Sequence, residues 1–146
     1  MSDSLTYPQK ASACRKGGYL MIDNHPCKII EMSTSKTGKH GHAKCKFMAK
    51  DIFDQTQHEF VQTSTHNVDI PNVSRQEYQL SDIDEEGYVS LLDDNAEMRS
   101  DLKLPDNNIE LSDSIRKFYE IGEDCAVTVL KACDREMIID VKKITT

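Results

Sequence analysis

The chain has 146 residues, of which 38% are hydrophobic and none is Trp, so it can form one medium domain or two small ones with modest cores. No apolar run approaches the length of a membrane span, and the first residues lack the basic and apolar stretches of a secretion signal. The cysteines are odd in number and contain no Cys-x-x-Cys pair, which argues against a disulfide framework and a zinc ribbon and favours a reducing compartment, the cytoplasm.

The net charge of −7 is divided unevenly along the chain. Residues 1–71 carry nine Lys or Arg and seven Asp or Glu, a balance of +2, whereas residues 72–146 carry nine and eighteen, a balance of −9. All 5 histidines lie in the first part. This asymmetry predicts two domains with different tasks, and the acidic second domain is expected to repel nucleic acid at long range.

The first half of the chain has the pattern of a small β barrel. Residues 1–9 are polar and are expected to form a disordered tail. Apolar runs then predict strands at 19–22, 27–32, 43–51 and 59–62. The third of these alternates inward Ala, Cys and Phe with outward Lys, the period of a half-buried antiparallel strand. Short strands with short connections favour a closed barrel over βαβ units.

A junction is predicted at residues 68–73, where a proline ends a strand and the charge changes sign. Beyond it the pattern predicts strands at 78–83, 88–92, 99–104, 125–131 and 137–144. Between the third and fourth strands, apolar residues recur with helical spacing at Leu111, Ile115, Phe118 and Tyr119. Ser112 or Asp113 is expected to cap this helix and Gly122 to end it. The order of elements is that of an OB-type barrel.

The segment at residues 33–44 has the most unusual composition in the chain. Its sequence, STSKTGKHGHAK, contains no large apolar side chain and places Lys39 between two glycines, with two histidines beside it. Because strand-like runs flank the segment, we predict a flexible cationic tip on a rigid hairpin. Most surface lysines are simply solvated charges, but Gly38 and Gly41 allow unusual backbone angles and the close approach of a large partner.

Other chemistries fit the chain less well. The loop lacks the first glycine and the metal-binding hydroxyl of a Walker phosphate loop. The histidines His40 and His42 have suitable spacing for a metal, but no third ligand lies in the loop, so no metal site is expected. A catalytic pair of Cys27 or Cys45 with His66 is disfavoured, because Cys45 falls on the inward face of its strand.

The loop at 33–44 resembles the signature of the eukaryotic translation initiation factor 5A family, the hypusine-containing factors. Further matching stretches are RKGGY at 15–19, PCKI at 26–29, STHN at 64–67, GYVSLL at 87–92 and DLKLP at 101–105. The resemblance implies an all-β (mainly β) fold, with an N-terminal SH3-like barrel and a C-terminal OB-fold barrel that has one short helix. It divides the chain into a tail at 1–9, an SH3-like domain carrying the loop at 10–71 and an OB-fold domain at 72–146.

The resemblance also implies a non-enzymatic translation factor that binds the ribosome beside peptidyl-tRNA. Such factors promote peptide-bond formation at stalling sequences, such as polyproline, and aid termination. Lys39 matches the lysine that deoxyhypusine synthase and deoxyhypusine hydroxylase convert to hypusine, using spermidine. The loop expected to contact tRNA and the ribosome comprises Lys36, Gly38, Lys39, His40, Gly41, His42 and Lys44. No bound cofactor, membrane or DNA partner is expected.

A general RNA-binding module that uses the unmodified basic loop remains an alternative interpretation. Three departures from the family pattern stand out. The amino-terminal tail is shorter than is common, Cys45 replaces an aliphatic residue, and residues 54–58 lack a glycine turn. None of these departures lies in the loop tip.

Overall fold

The computed structural model describes residues 5–36 and 41–145 of the chain. The chain divides into two compact units, Met1–Asn72 and Val73–Thr146. Each unit buries its own cluster of hydrophobic side chains. The mainly β class predicted from the sequence is confirmed, with a curled sheet in the first unit and an OB-like sheet and helix in the second. No helix in the described ranges has both the length and the apolar character needed to cross a membrane.

Six strands and a 3-10 turn make up the described part of the first unit. The strands are β1 (Thr6–Lys10), β2 (Tyr19–Ile22), β3 (His25–Lys36), β4 (Ala43–Asp51), β5 (Gln57–Thr63) and β6 (Asn67–Pro71), and the 3-10 turn is Ala11–Ala13. Strands β2 to β5 form an antiparallel sheet in sequence order, and β1 pairs with β6. The alternating side chains of β4 fill the core from one face of this sheet, as the sequence pattern predicts.

The expectation of a disordered tail at residues 1–9 is wrong for residues 6–9, which form most of strand β1. This strand pairs with β6 from Thr6 opposite Pro71 onward. All of its side chains are exposed or half-buried, so it has no apolar alternation by which the sequence could predict it. Its stability comes from the backbone pairing with a strand far along the chain.

The second unit consists of five strands and one helix. They are β7 (Ser74–Ile83), β8 (Tyr88–Leu92), β9 (Met98–Lys103), α1 (Ile109–Glu120), β10 (Cys125–Ala132) and β11 (Arg135–Lys143). The antiparallel sheet has the order β11-β10-β7-β8-β9. The helix lies between the third and fourth strands of the unit, which is the order predicted for an OB-type fold.

Helix α1 begins one residue after Asn108, whose side-chain oxygen accepts the backbone N–H of Leu111 at 3.1 Å. Asn108 is therefore the N-cap, and the prediction of a cap at Ser112 or Asp113 is wrong, because both residues lie inside the helix. Gly122 has a φ of +75° just beyond the helix, so the predicted glycine ending is confirmed.

The buried face of α1 is narrower than the sequence pattern predicts. Ile115 is fully buried, and Leu111 and Phe118 pack against the core while partly exposed. Tyr119 is 42% exposed, so its assignment to the helix core is wrong. Its hydroxyl instead donates a hydrogen bond to the Asp82 carboxylate on β7, which raises the pKa of the Tyr119 hydroxyl.

Candidate functional site

The β3–β4 hairpin is the longest paired structure of the first unit. Its register runs from Cys27 opposite Asp51 to Lys36 opposite Ala43, with one bulge near Ile29. A bulge increases the local twist and bends the strand that carries it. Because Lys36 and Ala43 form the last described pair, residues 37–42 are the segment that joins the two strands.

From Cys45 onward, strand β4 of this hairpin is anchored in the core. Phe47 is fully buried and stacks against Phe60 of β5, with ring centroids 6.4 Å apart. The thiol of Cys45 is also buried and lies 3.3 Å from the Ser64 hydroxyl, while the backbone N–H of Ser64 donates to the Ala43 carbonyl at 2.8 Å. These contacts hold the start of β4 in place, and the predicted inward position of Cys45 is confirmed.

From Cys45 toward residues 37–42, the hairpin leaves the core. Two more register pairs follow, which extend the paired strands by about 7 Å. Of the predicted site residues, Lys36, His42 and Lys44 are exposed and Gly41 is half-buried. The other predicted site residues, Gly38, Lys39 and His40, lie outside the described residues. The described part of the site is thus a rigid, solvent-exposed support with cationic side chains on both strands.

The solvent-facing side of the hairpin carries further lysines, from the Lys36–Ala43 pair to the other end of β4. Lys44, Lys46 and Lys50 alternate along β4, and Lys28 of β3 lies opposite Lys50. All four side chains are exposed, and none forms an ion pair with a carboxylate in the part of the chain that the structure describes. Exposed Glu31 and Glu59 lie on either side of Met48 on this face, so the positive charge is densest at Lys44 and Lys46, where it suits phosphate groups.

The thiols of the first unit are not arranged as nucleophiles. Cys27 is fully buried and directs its Sγ at the His25 carbonyl oxygen, 3.4 Å away. Burial, together with the nearby carboxylates Asp51 and Asp54, raises the pKa of Cys27 to about 12, so the thiol stays protonated. His66 contacts Gln62 at 3.3 Å in this structure. This geometry agrees with the prediction that disfavours a catalytic pair of Cys27 or Cys45 with His66.

The sequence analysis missed one cluster of polar side chains in the first unit. His25, Asp51 and Asp54 bring their ligand-type atoms within 4.8 Å of one another. His58 stacks on His25, with ring centroids 4.9 Å apart. The members come from the start of β3, the end of β4, the following turn and β5, so a periodicity search along one element could not group them.

Comparison with known proteins identifies the family. Residues 4–66 match the model described as translation initiation factor 5A-like, N-terminal, and residues 72–142 match the model described as eukaryotic elongation factor 5A hypusine, DNA-binding OB fold. These two matches cover most of the chain and meet near the boundary between the two compact units.

Similar proteins and structures carry the same description. Eukaryotic translation initiation factor 5A-1 of Arabidopsis thaliana is 52% identical over 141 residues, which cover 97% of this chain and 89% of that protein. The Spodoptera exigua factor 5A is 48% identical over 139 residues, which cover 95% and 86%.

Two solved structures extend the likeness to the fold. An initiation factor 5A family protein from Naegleria fowleri has a TM-score of 0.90 at 42% identity, covering 95% of this chain and 99% of that one. The Methanococcus jannaschii factor has a TM-score of 0.73 at 28% identity, covering 97% and 100%. The family is one of hypusine-carrying translation factors and not of enzymes. The chain belongs to the eukaryotic translation initiation factor 5A family.

Proposed function

We propose that this protein acts on the ribosome beside peptidyl-tRNA, where a hypusine formed on Lys39 promotes peptide-bond formation at stalling sequences and aids termination. Family membership supports a role in translation. The observation that carries the finer proposal is the β3–β4 hairpin, which is anchored by Phe47 and has exposed side chains at Lys36, His42 and Lys44. Lys39 lies within the segment that joins its two strands.

The proposed modification needs an accessible lysine. Deoxyhypusine synthase would transfer the aminobutyl group of spermidine to Lys39, and deoxyhypusine hydroxylase would complete hypusine. Gly38 and Gly41 on either side of the modified region lack side chains that would block an enzyme surface. The product is a longer side chain with a second amine, which extends a charge-assisted donor further from the hairpin.

The proposed action is one of positioning. Lys36, His42 and Lys44, together with His40, supply donors for phosphate oxygens, which fix register and orientation without reading base sequence. From residue 36 to residue 50 the chain has five lysines and no Asp or Glu, so this stretch of the hairpin is cationic. Holding the acceptor end of a tRNA in a reactive pose is worth several kcal/mol, on the order of the orientation effects in intramolecular reactions.

We also propose the domain boundaries and the cellular compartment of the protein. The loop-carrying SH3-like domain spans residues 10–71 and the OB-fold domain residues 72–146, and the protein works in the cytoplasm. The second domain has a charge balance of −9, which favours docking on protein or on a structured RNA partner over binding single-stranded nucleic acid.

A general RNA-binding module is the second candidate. The row formed by Lys28, Lys44, Lys46 and Lys50 favours it, because four exposed lysines on one sheet face attract any phosphate backbone. Such a module would bind arbitrary RNA with a steep salt dependence and would not require modification of Lys39.

A translation assay with two matched variants tests the proposal. Modified wild-type protein, Lys39→Arg and Lys36→Arg are added to an extract depleted of the factor, and synthesis of a polyproline reporter is measured. Lys39→Arg is expected to lose nearly all stimulation, because arginine cannot become hypusine, whereas Lys36→Arg keeps its charge and most of its activity. Intact-mass spectrometry records the modification in each sample.

The outcomes separate the two candidates. Full stimulation by Lys39→Arg would refute the role of hypusine. If unmodified protein also binds unrelated RNA as tightly as it binds ribosomes, with a steep salt slope, the general RNA-binding function is the better one.

A further inference from the structure

We propose that the first unit carries a second site, a binding site for a divalent transition-metal ion of the zinc type, formed by His25, Asp51 and Asp54 with His58 beside them. His25 is the first residue of β3 and Asp51 the last residue of β4, so the cluster lies at the opposite end of the hairpin from residues 37–42. The proposal therefore stands independently of the function of the loop.

The distances in the cluster are close to those of a metal site. The ligand atoms of His25, Asp51 and Asp54 all lie within 4.8 Å of one another, and His25 Nδ1 is 2.8 Å from Asp51 Oδ2. Two ligands of a tetrahedral Zn²⁺ lie about 3.4 Å apart, because each is about 2.1 Å from the metal. Side-chain rotations that open the closest pair slightly and draw Asp54 in by up to about 1.4 Å satisfy this geometry.

The carboxylate of Asp51 is oriented as metal-ligating carboxylates are. Its side chain is fully buried, and Oδ1 accepts the backbone N–H groups of Phe53 at 2.7 Å and Asp54 at 3.1 Å. Oδ2 is directed at His25. One oxygen therefore fixes the side chain while the other faces the cluster, and such outer hydrogen bonds hold ligands in place in known metal sites.

In Asp54, too, one carboxylate oxygen is fixed by hydrogen bonds and the other is not. Its Oδ1 accepts the Thr56 backbone N–H at 2.9 Å and the Thr56 hydroxyl at 2.6 Å, and its other oxygen has no hydrogen bond to any residue in the described ranges. Asp54 is thus an oriented carboxylate with one oxygen available to a cation.

The imidazole ligand His25 favours a transition metal over Mg²⁺ or Ca²⁺, and His58 packs against it. The ring of His58 lies over His25 at 4.9 Å, with an angle of 24° between the planes. Its Nε2 is 3.0 Å from the Thr56 hydroxyl oxygen, whose proton is donated to Asp54, so Nε2 must be the donor. An imidazole nitrogen such as His25 Nδ1 suits Zn²⁺ and its neighbours rather than the hard oxygen-seeking cations.

The proposed ligand set contains nitrogen and oxygen but no sulfur. Cys27 is the nearest thiol in sequence to His25, but it is buried and bonded to the His25 carbonyl oxygen. His25 is 42% exposed, which leaves one side of the site open for water to complete the shell. A bound ion would replace the His25–Asp51 hydrogen bond by two metal bonds.

The test is titration of the full-length, untagged chain with Zn²⁺ by calorimetry, followed by Co²⁺ spectroscopy. Two conservative variants, His25→Gln and Asp54→Asn, remove one ligand each. The amide introduced by His25→Gln can still donate to Asp51, and the amide introduced by Asp54→Asn can still accept from Thr56, so folding is preserved. His42→Gln and His66→Gln are the matched controls outside the cluster. Circular dichroism and thermal unfolding verify the fold of every variant.

The wild type and both controls are expected to bind one equivalent of Zn²⁺, with affinity reduced at least about tenfold in each cluster variant. Tetrahedral Co²⁺ bands without a sulfur charge-transfer band are expected. The proposal is overturned if the wild type binds no Zn²⁺, if His42→Gln or His66→Gln weakens binding as much as the cluster variants, or if the Co²⁺ spectrum shows sulfur ligation.

Discussion

The buried carboxylate of Asp51 is the most sensitive single group of the first unit. It accepts three hydrogen bonds, from the backbone N–H groups of Phe53 and Asp54 and from His25 Nδ1. The Phe53 bond is buried, whereas the other two are partly exposed. Asp51→Ala leaves a buried N–H without an acceptor and removes a charged acceptor from two further donors, which costs about 3–5 kcal/mol in unfolding free energy.

That loss is large for a unit of this size. For 72 residues, typical stability is about 4–11 kcal/mol. Each kcal/mol shifts the melting temperature of a domain of 60–100 residues by about 4–8 °C, so Asp51→Ala is expected to lower it by at least about 12 °C. Asp51→Asn keeps an acceptor for the two backbone groups and is expected to cost only about 1 kcal/mol.

The assay is thermal and urea unfolding of the three proteins in buffer with a chelator, followed by hydrogen exchange of the peptides from β3 to β5. Glu59→Ala is the matched control, because Glu59 is an exposed carboxylate on the adjacent strand and its loss is expected to change stability by less than about 0.5 kcal/mol. If Asp51→Ala and Glu59→Ala shift the midpoint equally, the energetic role assigned to the buried carboxylate is wrong.

Two further changes test the local chemistry of the same region. Gln55 has a φ of +65°, a conformation that costs a side chain about 1 kcal/mol, so Gln55→Gly is expected to raise the stability of the unit by a few tenths to about 1 kcal/mol, whereas Gln55→Ala is not. Thermal unfolding measures both, and an equal gain from Ala would rule out backbone strain as the cause. The folded-state pKa of Cys27 is raised from 9.0 to about 12, so its contribution to stability is complete below pH 9.0 and is lost as the pH rises toward 12, because the unfolded thiol ionises first. Cys27→Ala is expected to flatten the fall in unfolding free energy over this range, measured by urea unfolding at several pH values, and an unchanged slope would contradict the proposed burial effect.

Local periodicity allowed much of the fold to be predicted. Strands β2, β4 and β8 have the predicted bounds, because apolar residues alternate or cluster there over their whole length. Helix α1 was located by its 3.6-residue spacing, and Gly122 marks its end as expected. The signals that failed were weaker ones: β1 has no apolar alternation, and the capping side chain belongs to Asn108, before the periodic residues begin.

The mainly β class can be predicted from the residue pattern alone, and the family from residues 33–44 and five further stretches. These features depend on the order of neighbouring residues, which the chain carries in any conformation. The contacts between distant residues could not be predicted in this way: β1 pairs with β6, Tyr119 bonds to Asp82, and His25 contacts Asp51 and His58. Such contacts depend on strand register and on the turns that close each sheet, and a shift of one residue would turn these side chains to the opposite face.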